Sequence, residues 1–334
     1  MIKSPHYLLI ILCLASTITN AVEARSVTFK NGDDLLSGHY FLPESGKPKA
    51  VILFVHGDGP LEYDAHGYYP LIWEPLLRQG FAIFSWDKPG VGESTGNWLA
   101  QSMKQRQQEV QSAITYIRNS YGYSGSQVGL LGFSQAGWVV PALANNNPDI
   151  GFIIGVGFAI NWLEQSWYLM HVRLTQRGAH SSEIEAAHVA HLKEIDFLYE
   201  EPNYELYLKK YGHNPDPMSE ARFQFILKNF KANATEDYKG LKQPVLLLLG
   251  DKDLNVDIAN TKEVVERLIG DQQSIQISII NNATHGMLDA KNFNEQSPGL
   301  SFLLKLMWKG KRAVIPEFYN VLDAWLNGNI DLYK

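Results

Sequence analysis

Ser134 marks a change in the character of the chain. The apolar run Val128 to Leu131 passes through Gly132-Phe133 into Ser134-Gln135-Ala136-Gly137, and Trp138-Val139-Val140 follows. That order predicts a short buried strand, a tight turn with the serine at its apex, and a helix. Gly132 and Ala136 lie two places on either side. They are small enough to let strand and helix close on each other, so the serine is held in a strained conformation with its hydroxyl exposed. A serine so placed can attack an electrophilic carbon, but its hydroxyl is a weak nucleophile near neutral pH. It needs a base, a group to orient the base, and donors for the negative charge that develops on the attacked oxygen. Two downstream segments offer such groups. The apolar run Pro244 to Leu249 ends in Gly250-Asp251-Lys252-Asp253-Leu254-Asn255-Val256, with Asp257 next. The alternating run Ile275 to Ile280 leads into Asn281-Asn282-Ala283-Thr284-His285-Gly286-Met287. The competing readings are a Ser/Gly turn, a helix-capping aspartate and a solvated loop histidine.

In combination these segments resemble the α/β-hydrolase family, whose chain order is Ser, then acid, then His. Ser134 matches its nucleophile elbow G-x-S-x-G, with Ala136 in place of the last glycine. The turn after Leu249 resembles G-x-x-D-x-x-V, which selects Asp253 as the triad acid over Asp251 and Asp257. His285, followed by glycine in the loop after the last strand, takes the position of the base. The predicted strand Ala50 to Val55 runs into His56-Gly57-Asp58-Gly59-Pro60, which resembles the H-G-x-G-P oxyanion loop. The resemblance implies the backbone N–H groups of Asp58 and Gln135 as oxyanion donors. An aspartate in that loop would repel an oxyanion unless its side chain turns away or meets a cation. Phe81 to Trp86, followed by Asp87-Lys88-Pro89-Gly90-Val91-Gly92-Glu93-Ser94, resembles the D-x-x-G-x-G-x-S turn of the family. Its glycine spacing is wrong for a dinucleotide fingerprint and no phosphate-loop Lys-Ser/Thr follows, so it is expected to be a structural turn near the nucleophile. The resemblance extends from about residue 25 to the C-terminus.

The elements that must position these residues lie outside the first 24. There, Lys3 precedes the apolar stretch Tyr7 to Ala15, which has the length of a signal-peptide core, with cleavage expected after Ala21 or Ala24. The chain is therefore expected to be periplasmic or secreted, without membrane association once the leader is removed. Cys13, the only cysteine, falls inside the leader, so disulfides and thiolate chemistry are excluded from the remainder. A formal net charge of −6 with no dense basic cluster argues against nucleic acid as a partner. No metal or organic cofactor is implied; the partner is a small-molecule ester.

The expected architecture is α/β: a mostly parallel central sheet with helices on both faces, divided into residues 25–160 and 241–334. A helical cap, residues 161–240, is inserted after a sixth strand at Ile150 to Gly157. Trp162 and Trp167, at the first turn of the cap, are the candidates for contacting substrate; hinge packing is their alternative role. Glu185, His188, His191 and Glu194 recur every third residue, which drifts around a helix and reads as a solvated polar stripe rather than a metal site. The function expected is hydrolysis of a carboxylic ester, a lactone (including macrolide-type rings) or a thioester through an acyl-enzyme. The alternatives are an aminopeptidase or amidase, in which Glu62, Asp64, Glu164 or other cap carboxylates would grip the substrate amine, a carbon–carbon bond hydrolase, and a non-catalytic binding protein of the same fold.

Overall fold

The computed structural model describes residues 24–330, apart from 146, 214–215, 271–273 and 297. Of the expected leader, residues 1–23 and the cleavage site after Ala21 lie outside the described residues, whereas Ala24, the other expected cleavage point, is the first residue of the first strand. Eight strands form one sheet: β1 (Ala24–Asn31), β2 (Asp34–Phe41), β3 (Val51–Val55), β4 (Ala82–Trp86), β5 (Val128–Phe133), β6 (Phe152–Val156), β7 (Val245–Gly250) and β8 (Ile275–Ile280). Their spatial order is β1-β2-β4-β3-β5-β6-β7-β8. The first three in that order pair antiparallel and the remaining pairs are parallel.

The central strands are apolar throughout because both sheet faces are covered. Alternate residues face opposite sides. Val51, Leu53 and Val55 of β3 and Leu247 of β7 join a core shared with α2 (Met103–Tyr121), α3 (Val140–Ala144), α8 (Thr235–Lys239) and α9 (Ile258–Ile269). Ile52, Phe54 and Leu248 join the core on the other face. That core is shared with α1 (Tyr69–Arg78), α10 (Ala290–Phe293), α11 (Leu300–Lys309) and α12 (Pro316–Asn329). The chain passes from β3 to β4 on one side and returns to β5 on the other, so a crevice opens at the carboxyl edge of β3 and β5. His56, Ser134, Asp253 and His285 all follow the carboxyl ends of strands at that edge.

Between β6 and β7 lie α4 (Trp162–Gln176), α5 (Ser181–Tyr199), α6 (Tyr204–Tyr211), α7 (Glu220–Asn229) and α8. A short antiparallel contact ties the two ends of this insertion together: Trp162 N–H donates to Ala232 O at 3.0 Å and Ala234 N–H to Ile160 O at 2.9 Å. The insertion has its own small core of Phe197, Leu198, Tyr207, Phe223 and Phe230. Asn229 anchors it to the body by accepting from Met103 N–H at 2.8 Å and donating to Gln101 O at 3.0 Å. Among the described residues no helix is long and apolar enough to cross a membrane.

The turn after β5 opens with a 3-10 segment, Ser134–Trp138, before α3 begins. Its closeness to the sheet is set by Phe158, which is fully buried. A Cβ added at Gly132 would stand 2.9 Å from both Ala136 Cβ and the Phe158 ring, and one at Gly137 would stand 3.0 Å from Phe158. Phe158→Ala empties the space these glycines create. It is expected to lower the unfolding free energy by about 3–5 kcal/mol, measured by urea titration.

Candidate active site

Ser134 has a backbone φ of +49°, in the left-handed region that non-glycine residues rarely occupy. The sheet register explains what surrounds it. Val55 of β3 pairs with Gly132, which brings the loop after β3 alongside the serine. A Cβ on Gly57 would lie 3.4 Å from Ser134 Cβ and 3.3 Å from Phe133 O, so that loop and the nucleophile turn are closely packed at this glycine. On the other side Val156 of β6 pairs with Phe133, which sets Gly157 beside Ser134. A Cβ on Gly157 would lie 2.7 Å from Cε1 and Nδ1 of His285. The imidazole thus packs on the glycine next to the serine. Gly157 has a φ of +60°, and Asn282 and Met287, flanking the histidine loop, are also left-handed.

The three candidate aspartates have different partners. Asp253 Oδ2 accepts from His285 Nδ1–H at 2.8 Å. Its Oδ1 accepts from the N–H groups of Asn255 at 2.7 Å and Val256 at 2.9 Å, and the side chain is fully buried. Asp257 instead caps α9, accepting from Ala259 and Asn260 N–H at 3.1 Å. Asp251 forms an ion pair with Lys252 at 3.1 Å. Burial acts to lower the His285 pKa, but the charge and hydrogen bond of Asp253 outweigh it, and the net shift is upward from 6.5. The loop is held further by Tyr68, whose hydroxyl donates to Gly286 O at 2.7 Å.

The loop after β3 rests on buried cations that sequence reasoning did not single out. Arg106 of α2 donates from Nη1 to Gln135 Oε1 and from Nη2 to His56 O, each at 2.6 Å, so one guanidinium joins the two segments expected to carry the oxyanion donors. Lys88 donates to Gly57 O at 3.1 Å and Gly59 O at 2.8 Å, and its Nζ lies 4.5 Å from the centre of the Trp98 ring. Burial, with Arg106 nearby, pushes its pKa down to about 7. His56 is buried and neutral, its pKa pushed down to about 3 chiefly by burial. Nε2–H donates to Trp86 O at 2.5 Å, leaving Nδ1 to accept from the Tyr69 hydroxyl at 3.2 Å. The turn after β4 is built as expected. The Asp87 carboxylate accepts from Tyr63 and Glu93 N–H, and a side chain at Gly92 would collide with it.

Asp58 meets a cation. Arg222, on α7 of the insertion, grips it with two bonds, Nη1 to Oδ1 at 3.1 Å and Nη2 to Oδ2 at 2.8 Å. Gln135 Nε2–H adds a third bond to Oδ1 at 3.2 Å. Burial alone would raise the carboxyl pKa; hydrogen bonding and charge from Arg222, then Lys88, carry it below its ordinary value. The insertion reaches the aspartate loop as well, where Tyr168 donates to Asp253 O at 2.9 Å and Gln165 donates to Asn255 O.

The two tryptophans nominated for substrate contact make packing contacts. The Trp162 ring lies 4.9 Å from Trp138 and 6.0 Å from Phe225. Trp167 is surrounded by imidazoles, at 4.3 Å from His188 and 5.8 Å from both His171 and His191. The expected solvated stripe on α5 is corrected accordingly: His191 is buried and hydrogen-bonds Ser166 at 3.3 Å. A cavity of about 280 Å³ reaches His285 from elsewhere, lined by Tyr68, Leu288, Phe293, Phe302, Leu303 and Leu306 among others, and neither tryptophan belongs to it.

The sequence profile of a family described as serine aminopeptidase, S33, matches residues 46–292. No curated protein sequence matches the chain. Among solved structures the chain is similar to an esterase from Pyrococcus furiosus, Pf2001, at 15% identity and a TM-score of 0.58, covering 92% of each chain. It is similar to the α/β hydrolase GrgF from a Penicillium species, at 15% identity and a TM-score of 0.58, covering 92% of this chain and 99% of the other. It is also similar to an acylaminoacyl peptidase from Pyrococcus horikoshii, at 16% identity and a TM-score of 0.55, covering 93% of this chain and 42% of the other.

The balance of forces on His285 is open to direct measurement. Its imidazole is expected to titrate above 6.5 in the wild type by NMR. In Asp253→Asn, where burial is no longer opposed by a charge, it should titrate below that value.

Proposed function

The chain belongs to the serine aminopeptidase S33 family of α/β-hydrolases and is a hydrolase, and from that premise we propose that it cleaves carboxylic esters through Ser134, His285 and Asp253. The observation that carries this reading is the 2.8 Å bond from His285 Nδ1–H to the buried Asp253 carboxylate, with the same imidazole packed on the glycine beside a left-handed Ser134. With Nδ1 committed to Asp253, Nε2 is free to act as the base. His285 takes the proton from the Ser134 hydroxyl as the oxygen attacks the ester carbonyl carbon. The N–H groups of Asp58 and Gln135 stabilise the oxyanion. His285 then protonates the leaving alcohol, and a water repeats the sequence on the acyl-enzyme.

The choice of ester over amine-bearing peptide is supported by the cavity at His285. Its lining is largely apolar, and its one carboxylate, Glu295, is paired with Lys305 at 3.0 Å, which leaves little to bind a charged amino terminus. The aminopeptidase reading is favoured by the family description and by Glu164, which with Asp257 lines a second cavity of about 280 Å³ beside α4. Lactones and thioesters present the same carbonyl to the same groups and stand within the proposal.

Ser134→Ala is expected to leave a folded protein whose turnover of acyl esters falls on the order of a thousandfold or more. A panel of esters against amino-acid arylamides separates the two readings. Faster arylamide turnover by the wild type would reject the ester proposal, and Ser134→Ala retaining a tenth of the activity would reject the nucleophile. The acid limb of the kcat/KM profile is expected above pH 6.5, because the base form of His285 is lost as pH falls through its raised pKa.

Arg222 has a separate test. Its side chain and that of Asp58 are 33% and 41% exposed, so the pair contributes little to folding stability. Its expected role is to neutralise Asp58 beside the developing oxyanion. Arg222→Gln should lower kcat/KM about tenfold, and adding Asp58→Asn to it should recover most of the loss. Strictly additive losses in the double variant would show that the charge is not the issue.

A further inference from the structure

Helix α11 turns a continuous apolar face outward. Leu300 is 73% exposed, Leu304 57%, Met307 78% and Trp308 77%. These positions follow the spacing of one helical face. They are the four most exposed large apolar side chains among the described residues, and Leu303, at 37%, lies beside them. The other side of the same helix is conventional core: Leu306 is buried and the Phe302 ring packs 5.1 Å from Phe293. Phe302, Leu303 and Leu306 also line the cavity that reaches His285. The helix is thus the wall between that cavity and an apolar surface.

Charge decides what fits this surface. The chain as a whole is acidic, at −6, yet from Gln296 to Pro316 it holds no Asp or Glu and four cations, Lys305, Lys309, Lys311 and Arg312. Lys305 is paired with Glu295 and Lys311 with Glu74. Lys309 and Arg312 make no ion pair among the described residues, and both follow directly on the exposed Trp308 end of the face. A second copy of the chain seated on this face would bring those cations to a surface without an acid to meet them. An apolar face with an indole at its edge and unpaired cations beside it suits a bilayer with anionic headgroups: the side chains enter the acyl boundary and the cations meet phosphate. We propose that α11 is an interfacial docking helix that seats the protein on an anionic lipid surface. This goes beyond the ester reading and does not depend on it, and it runs against the sequence-based expectation of no membrane association after leader removal.

The test uses the full chain carrying Ser134→Ala, so that vesicles are not altered by turnover. It is mixed with vesicles of phosphatidylcholine containing phosphatidylglycerol, part of the lipid brominated in the acyl chain. Bromine quenches tryptophan only at contact depth, and Trp308 is compared with Trp308→Phe, which isolates α11 from any contribution of the leader. The expected result is a quenched emission component present in the parent and absent in Trp308→Phe. That component should weaken several-fold in Lys309→Gln/Arg312→Gln and in vesicles of phosphatidylcholine alone. Equal quenching in parent and Trp308→Phe, or no quenching, would overturn the proposal. So would a dimer in sedimentation velocity that Met307→Ser/Trp308→Ser converts to monomer while vesicles leave Trp308 unquenched, since the face would then belong to a second copy. Short-chain ester turnover in solution, measured with Ser134 intact, should be unchanged by Met307→Ser/Trp308→Ser. Failure of the ester reading would appear there, and failure of the docking reading only in the quenching.

Discussion

The left-handed backbone at Ser134 is the constraint on which the rest of the site depends. A φ of +49° is unfavourable for serine and persists only where neighbouring packing leaves no alternative. That packing is the wedge of Phe158 against Gly132 and Gly155, which would collide with the ring if they carried a Cβ, and against Gly137, where a Cβ would be tightly crowded. The wedge fixes the height of the turn above the sheet. The parallel register then brings Gly57 to one side of the serine and Gly157, with His285 upon it, to the other. Three separate strand ends converge because the residues at the points of contact are glycines.

Electrostatics imposes a second order on the same edge. Two buried cations lie under the loop after β3, where Arg106 ties it to Gln135 and Lys88 holds two of its carbonyls, and the partly exposed Arg222 covers Asp58 from the insertion. Burying such groups is unfavourable unless each finds acceptors. Here loop carbonyls serve both buried cations, Gly57 O and Gly59 O for Lys88 and His56 O for Arg106, so desolvation and loop geometry are coupled. The same arrangement pairs the Asp58 carboxylate with a cation.

The insertion takes part in both arrangements. It touches the loop after β3 through Arg222 and the loop after β7 through Tyr168 and Gln165. It is therefore linked to both halves of the site, and its aromatic residues serve mostly to pack it. The apolar approach to His285 lies instead along α10 and α11, in the C-terminal part of the sheet's helical cover.

What the sequence determined by itself was local. Ser134 between Gly132 and Ala136, Asp253 three residues past Gly250, and His285 after an alternating strand were all legible, because turn chemistry and apolar periodicity are short-range properties. The positions of β3 to β8 were legible for the same reason, to within a residue or two, whereas the antiparallel pair β1 and β2 was not located from the sequence. What the sequence left open was decided by neighbours distant along the chain. Among three adjacent aspartates only the tertiary structure shows that Asp253 reaches the imidazole, Asp257 caps a helix and Asp251 pairs with Lys252. Arg106, Lys88 and Arg222 carry no signal as single residues, since a cation is buried only by what folds over it. Trp162 and Trp167 were plausible substrate contacts by position; only the fold shows that Trp162 packs on Trp138 and that Trp167 stands among three histidines at the edge of a cavity of its own. The outward face of α11 was hidden for a complementary reason. An amphipathic pattern states that one side of a helix is apolar but does not state which side the core will take. Here both sides are apolar, and the fold had room to bury only one.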